Sequence, residues 1–496
     1  MKRLSIPIAL FLTATSTAYA QIPQSEYATH RTNLAAAIGN GILIAFGSGE
    51  PEQDFLSFYQ NPHFYYLAGL KEPGAALVMR KTDAGVVTTL FVEPRDPARE
   101  VWTGSRLGPA GAARALGFAA RETSGLIPYL DSLLAVDSTL YVVGNIAASQ
   151  SLLSPDDQFV RALRVKHPNL NVINVNAKVN ELRRVKSAAE LEMIRKAVDI
   201  TVIAQREAMR VAEPGMNEFE VQALIEYTFR RNGADRPSFS TIVGSGPNST
   251  TLHYNVDDRF MNAGETVVMD IGASYRGYAA DVTRTIPVSG KFTADQRAVY
   301  QIVRDAQAAA ERQAKVGALA RDMTDSSNVV IAAGLARLGL TESPSATYDC
   351  DAAASRQCPQ YFLYYMHGLG HGIGLDVHDP GAAPSRNATT RLVEGSAFTI
   401  EPGIYVRENL VGILPNTPRN RALGETIRAA VKRYANIGVR IEDDYIVTAA
   451  GVDWISRAPR EISEVEAEMR KPYAGPLPRN RSMVELYRAT TPRESR

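Results

Sequence analysis

Three of the chain's seven histidines lie close together, in the segment HGLGHGIGLDVHD (367–379). They are His367, His371 and His378. Because imidazole binds metal ions and exchanges protons near neutral pH, this concentration indicates a metal-binding or catalytic segment; three purely structural histidines are the alternative. The glycines that alternate with these residues oppose a helix. They favour an extended or turning backbone that a ligand or another strand approaches closely.

Two aspartates flank a predicted turn in VVMDIGASYRGYAADVTRTIPV (267–288). An apolar run enters Asp270 and an alternating run follows Asp281, so the pattern predicts a β-hairpin. A hairpin centred between Tyr275 and Arg276 places the two carboxylates opposite each other, where like charges destabilise the strand pair. The pair therefore calls for a cation between the carboxylates or for one carboxyl that stays protonated. An ordinary solvent-facing pair is the alternative.

Two glutamates further along the chain complete a candidate metal site. Glu401 follows the β-prone run SAFTI, and Glu442 lies in the alternating run NIGVRIEDDYIVT, on the same face as Arg440. Either glutamate alone would be a solvated or salt-bridged strand residue. Together with His371 and the two aspartates they form a set that suits Mn²⁺, Co²⁺, Mg²⁺ or Zn²⁺. Four negative charges match two dications better than one, and two metals about 3.5–4 Å apart form a recognised hydrolytic centre.

The elements that would position these residues fall into two predicted domains. Residues 21–177 alternate β-prone runs with helical stretches, which is typical of an α/β domain. Residues 178–460 start with a charged segment and contain several helices, and residues 461–496 are predicted to be a mobile or surface-wrapping tail. The β-prone runs of the first domain are 41–49, 74–80, 88–93 and 138–144. Capping pairs in the second domain are Ser187 with Glu190, Asn217 with Glu220, and Thr293 with Gln296.

Composition narrows the class of protein. The chain has 496 residues with 45% hydrophobic content, enough for more than one sizeable core. Its 54 basic and 53 acidic residues give a net charge of +1, which does not support nucleic-acid binding. The sequence has no apolar run of roughly 18 residues or more, so no membrane-spanning helix is predicted.

Residues 1–20 have the features of a secretory signal peptide. A basic pair precedes the apolar run LSIPIALFL, and the segment ends in AYA, an A-x-A cleavage site. We therefore expect an exported protein, periplasmic or secreted. In such a compartment Cys350 and Cys358 could form a local disulfide, with two free thiols as the alternative.

The histidine segment resembles the signature of the proline-specific peptidases aminopeptidase P and prolidase, which are pita-bread metallopeptidases. The segments QNPHFYYLAGLKEPGAALVM and EPRDPAREVWTGSRLG resemble the N-terminal domain of aminopeptidase P. The resemblance implies an α/β (α+β) protein, with an N-terminal α/β domain followed by a pita-bread catalytic domain. It also implies two divalent metal ions, manganese or a similar metal such as Co²⁺ or Zn²⁺, and a homodimer or homotetramer.

Carried over position by position, the resemblance assigns roles to individual residues. Asp281 and Glu442 would bridge the two metals, and Glu401 would also transfer a proton. His378 would donate to the oxyanion. The complete set of metal ligands would be Asp270, Asp281, His371, Glu401 and Glu442, and the substrate-binding histidines would be His253, His367 and His378.

The implied reaction removes the first residue of a peptide that has proline in second position, by attack of a metal-bridging hydroxide. Proline-containing peptides are thus the expected partners. One alternative is a prolidase that cleaves Xaa-Pro dipeptides. The other is a pita-bread binding protein without catalysis, a class that usually lacks metal ligands, whereas all five are present here.

Three features lie outside the signature itself. Aromatic residues such as Tyr254 are candidates to line the proline pocket. Two segments, 341–362 and 407–435, are longer than the family needs. We expect both to form loops at the rim of the cleft and to influence the preferred length of the substrate.

Overall fold

The computed structural model describes residues 22–53, 56–146, 153–381, 384 and 389–475. The predicted signal peptide, residues 1–20, lies outside the described residues, as does the end of the predicted tail. Within the described ranges no helix combines the length and the apolar character needed to cross a bilayer.

The N-terminal part of the chain is a mixed sheet with helices packed against it. Its strands are β1 (Gly41–Phe46), β2 (Ala76–Thr82), β3 (Gly85–Val92), β4 (Ala119–Glu122), β5 (Thr139–Val143) and β6 (Asn171–Asn174). Its helices are α1 (Gln24–Ala37), α2 (Pro62–Ala68), α3 (Pro97–Thr103), α4 (Gly108–Leu116), α5 (Leu126–Leu134), α6 (Pro155–Lys166) and α7 (Asn176–Arg183). The strand order is β4-β3-β2-β1-β5-β6. Each predicted β-prone run overlaps one of these strands, so the predicted α/β architecture is confirmed.

Strand β1 shows why this sheet is covered on both faces. Ile42 and Ile44 pack into a cluster with Leu130 and Leu140 on one face. Leu43 and Ala45, which point the other way, join the core that continues into the rest of the chain. Successive side chains of a strand alternate between faces, so a continuous apolar run fits only a strand that is buried on both sides.

The rest of the chain combines long helices with short antiparallel strand groups. Its helices are α8 (Ala188–Val211), α9 (Glu218–Arg231), α10 (Ala294–Gln313), α11 (Ala320–Arg337), α12 (Pro418–Arg433) and α13 (Ile462–Met469). Its strands are β7 (Arg236–Pro237), β8 (Ile242–Ser245), β9 (Thr266–Ile271), β10 (Ala273–Tyr275), β11 (Tyr278–Ala279), β12 (Val282–Pro287), β13 (Thr347–Asp349), β14 (Gln357–Pro359), β15 (Ala397–Ile400), β16 (Gly403–Val406), β17 (Ile437–Arg440), β18 (Asp443–Thr448) and β19 (Gly451–Trp454).

Three of these helices begin where the sequence predicts. Capping boxes start α8 at Ser187 and α10 at Thr293, and the Asn217 side chain accepts from the Phe219 N–H at the start of α9. Helix α8 packs on α9 and α10 packs on α11. The first pair lies beside the sheet β12-β9-β8, and α10 contacts strands β15, β16 and β17. The strands that carry the carboxylates are therefore backed by helices.

The predicted register of the aspartate hairpin is wrong by two residues. Asp270 pairs with Thr283, not with Asp281. The turn is centred between Arg276 and Gly277, whose φ values of 54° and 91° are both positive. A two-residue turn with two positive φ values matches the twist of antiparallel strands, and glycine adopts it without strain. The two aspartates are consequently staggered along the hairpin.

The two insertions form one packed unit instead of separate rim loops. Strands β13 and β14 make a hairpin that the Cys350–Cys358 disulfide closes, with a Cα–Cα distance of 5.7 Å. The Thr417 hydroxyl, at the start of α12, donates to the Asp349 carboxylate at 2.6 Å, and the Asn420 amide donates to the Asp349 carbonyl at 2.9 Å. The expectation of loops was wrong because the second insertion contains a full helix.

The start of the predicted tail packs on the helices of the C-terminal half. Within α13, Val465 is fully buried. The Glu468 carboxylate pairs with Arg206 of α8 at 3.0 Å and also with Arg210. The described portion of the tail therefore packs on α8 through helix α13, which the charged composition of this segment did not predict.

Candidate metal centre and active-site pocket

A cavity of about 450 Å³ gathers every residue that the sequence assigned to the site. These eight residues come from segments far apart in the chain. They are His253, Asp270, Asp281, His367, His371, His378, Glu401 and Glu442. Apolar side chains form much of the remaining wall, among them Phe239, Ile242, Leu252 and Val377. A concave apolar pocket with a few convergent polar groups is the usual form of a small-molecule or peptide site.

Three of the four carboxylates lie just outside strand ends, while Asp270 lies within β9. Asp281 immediately precedes β12, and its N–H donates to the Asp444 carboxylate at 3.1 Å. Glu442 lies between β17 and β18 and accepts from the Thr283 hydroxyl at 2.7 Å. Glu401 follows β15, and its N–H donates to the Leu369 carbonyl at 2.7 Å. Each carboxylate is thereby aimed by a contact from a neighbouring segment.

His371 stands at the centre of the carboxylates. Its Nε2 lies 3.4 Å from Asp281, 3.6 Å from Glu401 and 3.7 Å from Glu442. One ligand atom each of Asp281, His371 and Glu442 falls within 4.8 Å of the others. The Nδ1–H of His371 donates to the Gly372 carbonyl at 3.1 Å, so Nε2 is left as the acceptor that a metal requires.

Unpartnered oxygens test whether cations fit this site. Oδ1 of Asp270, Oδ1 of Asp281 and Oε1 of Glu442 are buried and have no hydrogen-bond partner. Buried carboxylate oxygens without a partner are costly, and bound cations are a common way to satisfy them. The donor set of oxygens with one imidazole also suits divalent ions of the manganese–zinc series. The residues therefore fit metal ions, and the four carboxylates provide charge for two.

The pKa shifts of the metal-free site also indicate that it suits cations. Burial and the charge of Glu442 raise the pKa of both Asp281 and Glu401, and burial and the charge of Asp270 raise the pKa of Glu442 to about 8. Burial, with the nearby His378 ring, lowers the pKa of His371 to about 4. His371 is thus neutral near pH 7, the form that binds metal, and bound cations would favour the ionised forms of Asp281, Glu401 and Glu442.

These shifts predict how stability depends on pH when metal is removed. A carboxyl whose pKa is raised on folding stabilises the folded state at low pH, and this contribution is lost as the pH rises from about 4.5 to about 8 for Glu442. A divalent ion would bind the deprotonated carboxylates, so the gap in melting temperature between protein with added Mn²⁺ and EDTA-treated protein should widen across that window. Thermal unfolding at a series of pH values measures this gap. A gap that stays constant with pH would contradict the conclusion that the metal binds at these carboxylates.

The glycines of the histidine segment are explained by close approach. A Cβ atom on Gly370 would collide with the Thr399 carbonyl oxygen, and one on Gly372 with the Asp379 carbonyl oxygen. The segment runs beside β15, where the Thr399 N–H donates to the His371 carbonyl at 2.8 Å. The prediction of an extended backbone approached by another strand is therefore confirmed.

Arg440 and Tyr405 were not assigned a role from the sequence, yet the structure joins them to the site. The Arg440 guanidinium pairs with Asp270 and donates to the Tyr405 hydroxyl at 2.9 Å. The Tyr405 hydroxyl is 2.9 Å from Nε2 of His367, whose Nδ1–H donates to the Gly368 carbonyl at 2.7 Å. Arg440 lies two residues before Glu442 on one strand face, and that periodicity was the available signal. No feature of the sequence singled out Tyr405.

His253 and Tyr254 behave differently although they are neighbours. His253 lines the cavity as expected. Tyr254 does not: its hydroxyl donates to the buried Glu218 carboxylate at 2.9 Å. Glu218 also accepts from the Ser245 N–H at 2.7 Å, so it holds two positions of the segment that carries His253.

Two family models match this chain. Metallopeptidase family M24 matches residues 192–449, and the aminopeptidase P N-terminal domain matches residues 27–141. Among curated relatives, the Xaa-Pro aminopeptidase of Haemophilus influenzae is 32% identical over 90% of this chain and 97% of that protein. The Xaa-Pro dipeptidase of Homo sapiens is 29% identical over 92% of this chain and 97% of that protein.

Solved structures agree with these matches. Escherichia coli aminopeptidase P with the inhibitor Pro-Leu superposes with a TM-score of 0.76 at 31% identity, covering 90% of this chain and 98% of that one. A Zn-substituted form of the same protein in complex with product gives the same values. Proline aminopeptidase P II from Yersinia pestis has a TM-score of 0.76 at 30% identity. An N-terminal aminopeptidase P-type domain followed by a pita-bread domain is therefore confirmed.

Proposed function

The chain belongs to metallopeptidase family M24, and on that premise we propose that it is a metal-dependent Xaa-Pro aminopeptidase. It removes the first residue from peptides that have proline in second position. One observation carries this function: a cluster of buried carboxylates with unpartnered oxygens surrounds His371 in an apolar pocket, in a chain related along nine-tenths of its length to Xaa-Pro aminopeptidases.

The residues divide the work of hydrolysis among them. The residues that would hold two divalent ions are Asp270, Asp281, His371, Glu401 and Glu442. Those ions would polarise the scissile carbonyl and make hydroxide available near neutral pH. Glu401, at the edge of the carboxylate group, transfers the proton from the attacking water to the leaving nitrogen. His378 donates to the oxygen that becomes negative as the carbonyl is attacked. His253 and His367 hold the substrate in place.

The first test is product analysis. With Mn²⁺ present, the mature protein should release arginine from an Arg-Pro-Pro-type oligopeptide, and EDTA should reduce that release by several orders of magnitude because the carbonyl loses its Lewis acid. Mass spectrometry of the products identifies the bond that is cut. Metal-independent cleavage, or cleavage at an internal bond, would contradict the proposal.

A dipeptidase is the second candidate, since the related human protein carries the name Xaa-Pro dipeptidase. Cleavage of Ala-Pro with no cleavage of the oligopeptide would select this function. Cleavage of the oligopeptide, with or without the dipeptide, selects the aminopeptidase.

Manganese is the metal we propose to occupy the site, on the basis of the oxygen-rich ligand set with a single imidazole. Co²⁺ and Zn²⁺ suit the same donors, and a relative is known in a Zn-substituted form. Elemental analysis of the purified protein, followed by titration of the EDTA-treated protein with each metal, distinguishes these ions.

Export and self-association are further parts of the proposal. The basic and apolar composition of residues 1–20 supports secretion or a periplasmic location, which fractionation of expressing cells tests. Helix α3 exposes Val101 and Trp102, at 81% and 77% of their surface, and these two adjacent apolar side chains are the surface we propose for self-association. A homodimer or homotetramer would bury them, and light scattering of the protein measures its mass.

A further inference from the structure

The turn that carries His378 is built around one buried carboxylate. Oδ1 of Asp379 accepts from the Asp376 N–H at 3.1 Å, which closes the four-residue turn 376–379. The Asp379 N–H donates to the Gly372 carbonyl at 2.9 Å, which fixes the turn to the rest of the histidine segment. A Cβ atom on Gly374 would lie 2.7 Å from the Asp379 carboxylate, so the backbone makes room for this group. His378 projects from the turn into the cavity.

Two cations from the segment between the domains meet this carboxylate. Arg183, at the end of α7, pairs through Nη2 with Asp379 and with Asp376 at 2.7 Å. It thus connects both ends of the turn. Nζ of Lys186 lies 2.9 Å from the other oxygen of Asp379 and donates to the Pro380 carbonyl at 3.3 Å.

Burial separates this contact from an ordinary surface ion pair. The side chains of Arg183, Lys186 and Asp379 are only 2%, 1% and 1% exposed. Such pairs exclude water and have strict geometry, because a cation or carboxylate that leaves its partner is stranded in a low-dielectric interior. The turn is therefore held in one position by groups far from it in sequence.

The same segment is tied to the N-terminal domain. The Asn180 side chain, one turn before Arg183 in α7, contacts Nε2 of His63 in α2 at 2.7 Å. The backbone N–H of Lys186 donates to the Gly395 carbonyl at 2.9 Å, just before β15. The segment thus connects the N-terminal domain, the His378 turn and a strand next to the metal cluster.

We propose that Arg183 and Lys186 are positioning residues that act through Asp379 to fix the His378 imidazole in the catalytic pocket. The contribution to turnover rests on the function proposed above for His378. The contribution to the turn itself depends only on the contacts described here. The two parts are measured separately.

The first measurement needs no activity. In Lys186→Met, hydrogen–deuterium exchange followed by mass spectrometry should speed up in peptides covering 372–380 and stay unchanged elsewhere. The reason is that the Asp379 carboxylate, which accepts from the Asp376 N–H, loses one of the cations that hold it in place. Lys186→Arg keeps the charge and should restore slow exchange. Unchanged exchange in 372–380 would overturn the proposal, and so would faster exchange throughout the protein, which would indicate general destabilisation.

The second measurement is a double-mutant cycle with His378→Ala. Lys186→Met alone should lower kcat by about 10–100-fold, the size seen when partners that orient a site residue are lost, with KM and metal content unchanged. In the His378→Ala background the same substitution should cost less than about threefold, because the side chain it positions is gone. Losses that multiply would overturn the coupling.

Controls keep the two proposals distinguishable. Arg195→Met removes one cation from a half-exposed pair with Asp453 at 2.8 Å and should leave both exchange in 372–380 and kcat unchanged. Arg183→Lys retains the charge, but its ammonium lies one bond closer to the backbone than Nη2 of arginine, the atom that contacts both Asp376 and Asp379, so it should show part of the exchange increase. If the wild type cleaves no Xaa-Pro peptide, the proposed function fails, while the exchange result still decides the positioning role.

Discussion

Asp281→Ala is expected to abolish both metal loading and activity, with kcat/KM reduced by at least about 10³-fold. The reason is its central position: its carboxylate lies 3.4 Å from Nε2 of His371 and has a buried oxygen without a partner. In the proposed function Asp281 would be a ligand of both metals, and its loss would then remove several kcal/mol of transition-state stabilisation, where each 1.4 kcal/mol is about tenfold in rate.

Elemental analysis and steady-state kinetics on one preparation test this expectation. Asp453→Ala, the same substitution at a half-exposed aspartate on β19, is the matched control and should retain metal and activity. Circular dichroism confirms that the variant folds, since removal of a buried carboxylate from a repulsive cluster should not unfold the metal-free protein. An Asp281→Ala protein that stays metal-loaded and active would remove the bridging role from Asp281.

His378→Ala is expected to keep its metals but to lose turnover by about 10²–10³-fold, the usual effect of removing one oxyanion donor. His378 lines the cavity, and its ring packs on that of His371 with 4.2 Å between centroids, so it is adjacent to the cluster without belonging to it. An interaction made only in the transition state lowers kcat and kcat/KM equally and leaves KM unchanged.

The control for this variant is His167→Ala, because His167 contacts Asp131 in the N-terminal domain, away from the cavity. Metal content and melting temperature should match the wild type in both variants. Unchanged turnover in His378→Ala would exclude the oxyanion role, and a loss of metal would make His378 part of the ligand shell.

The two exposed residues of α3, Val101 and Trp102, and the buried ion pairs at Asp379 differ in what they would connect. The first would connect copies of the chain, whereas the second connects the two domains within one copy. Only the second reaches the pocket, because Asp379 lies in the turn that carries His378.

The sequence by itself determined the elements and the chemical inventory of the site. Helix starts at Ser187, Asn217 and Thr293 follow from side chains that cap their own backbone, which is a local effect. The β-prone runs of the first domain follow from short stretches of β-branched, aromatic and other apolar residues, which is also a local signal. The types and order of the carboxylates and histidines are properties of the chain and fit divalent metals before any contact is known.

Only the tertiary structure decided how these groups meet. The hairpin register depended on two positive φ values at Arg276 and Gly277, which staggered Asp270 and Asp281. The link from Arg440 through Tyr405 to His367 and the pairing of Arg183 with Asp379, 196 residues away, arise from packing between elements distant in sequence. Local periodicity shows which face of an element is buried, but not which residue of another element lies against it, since that depends on the packing of the whole core.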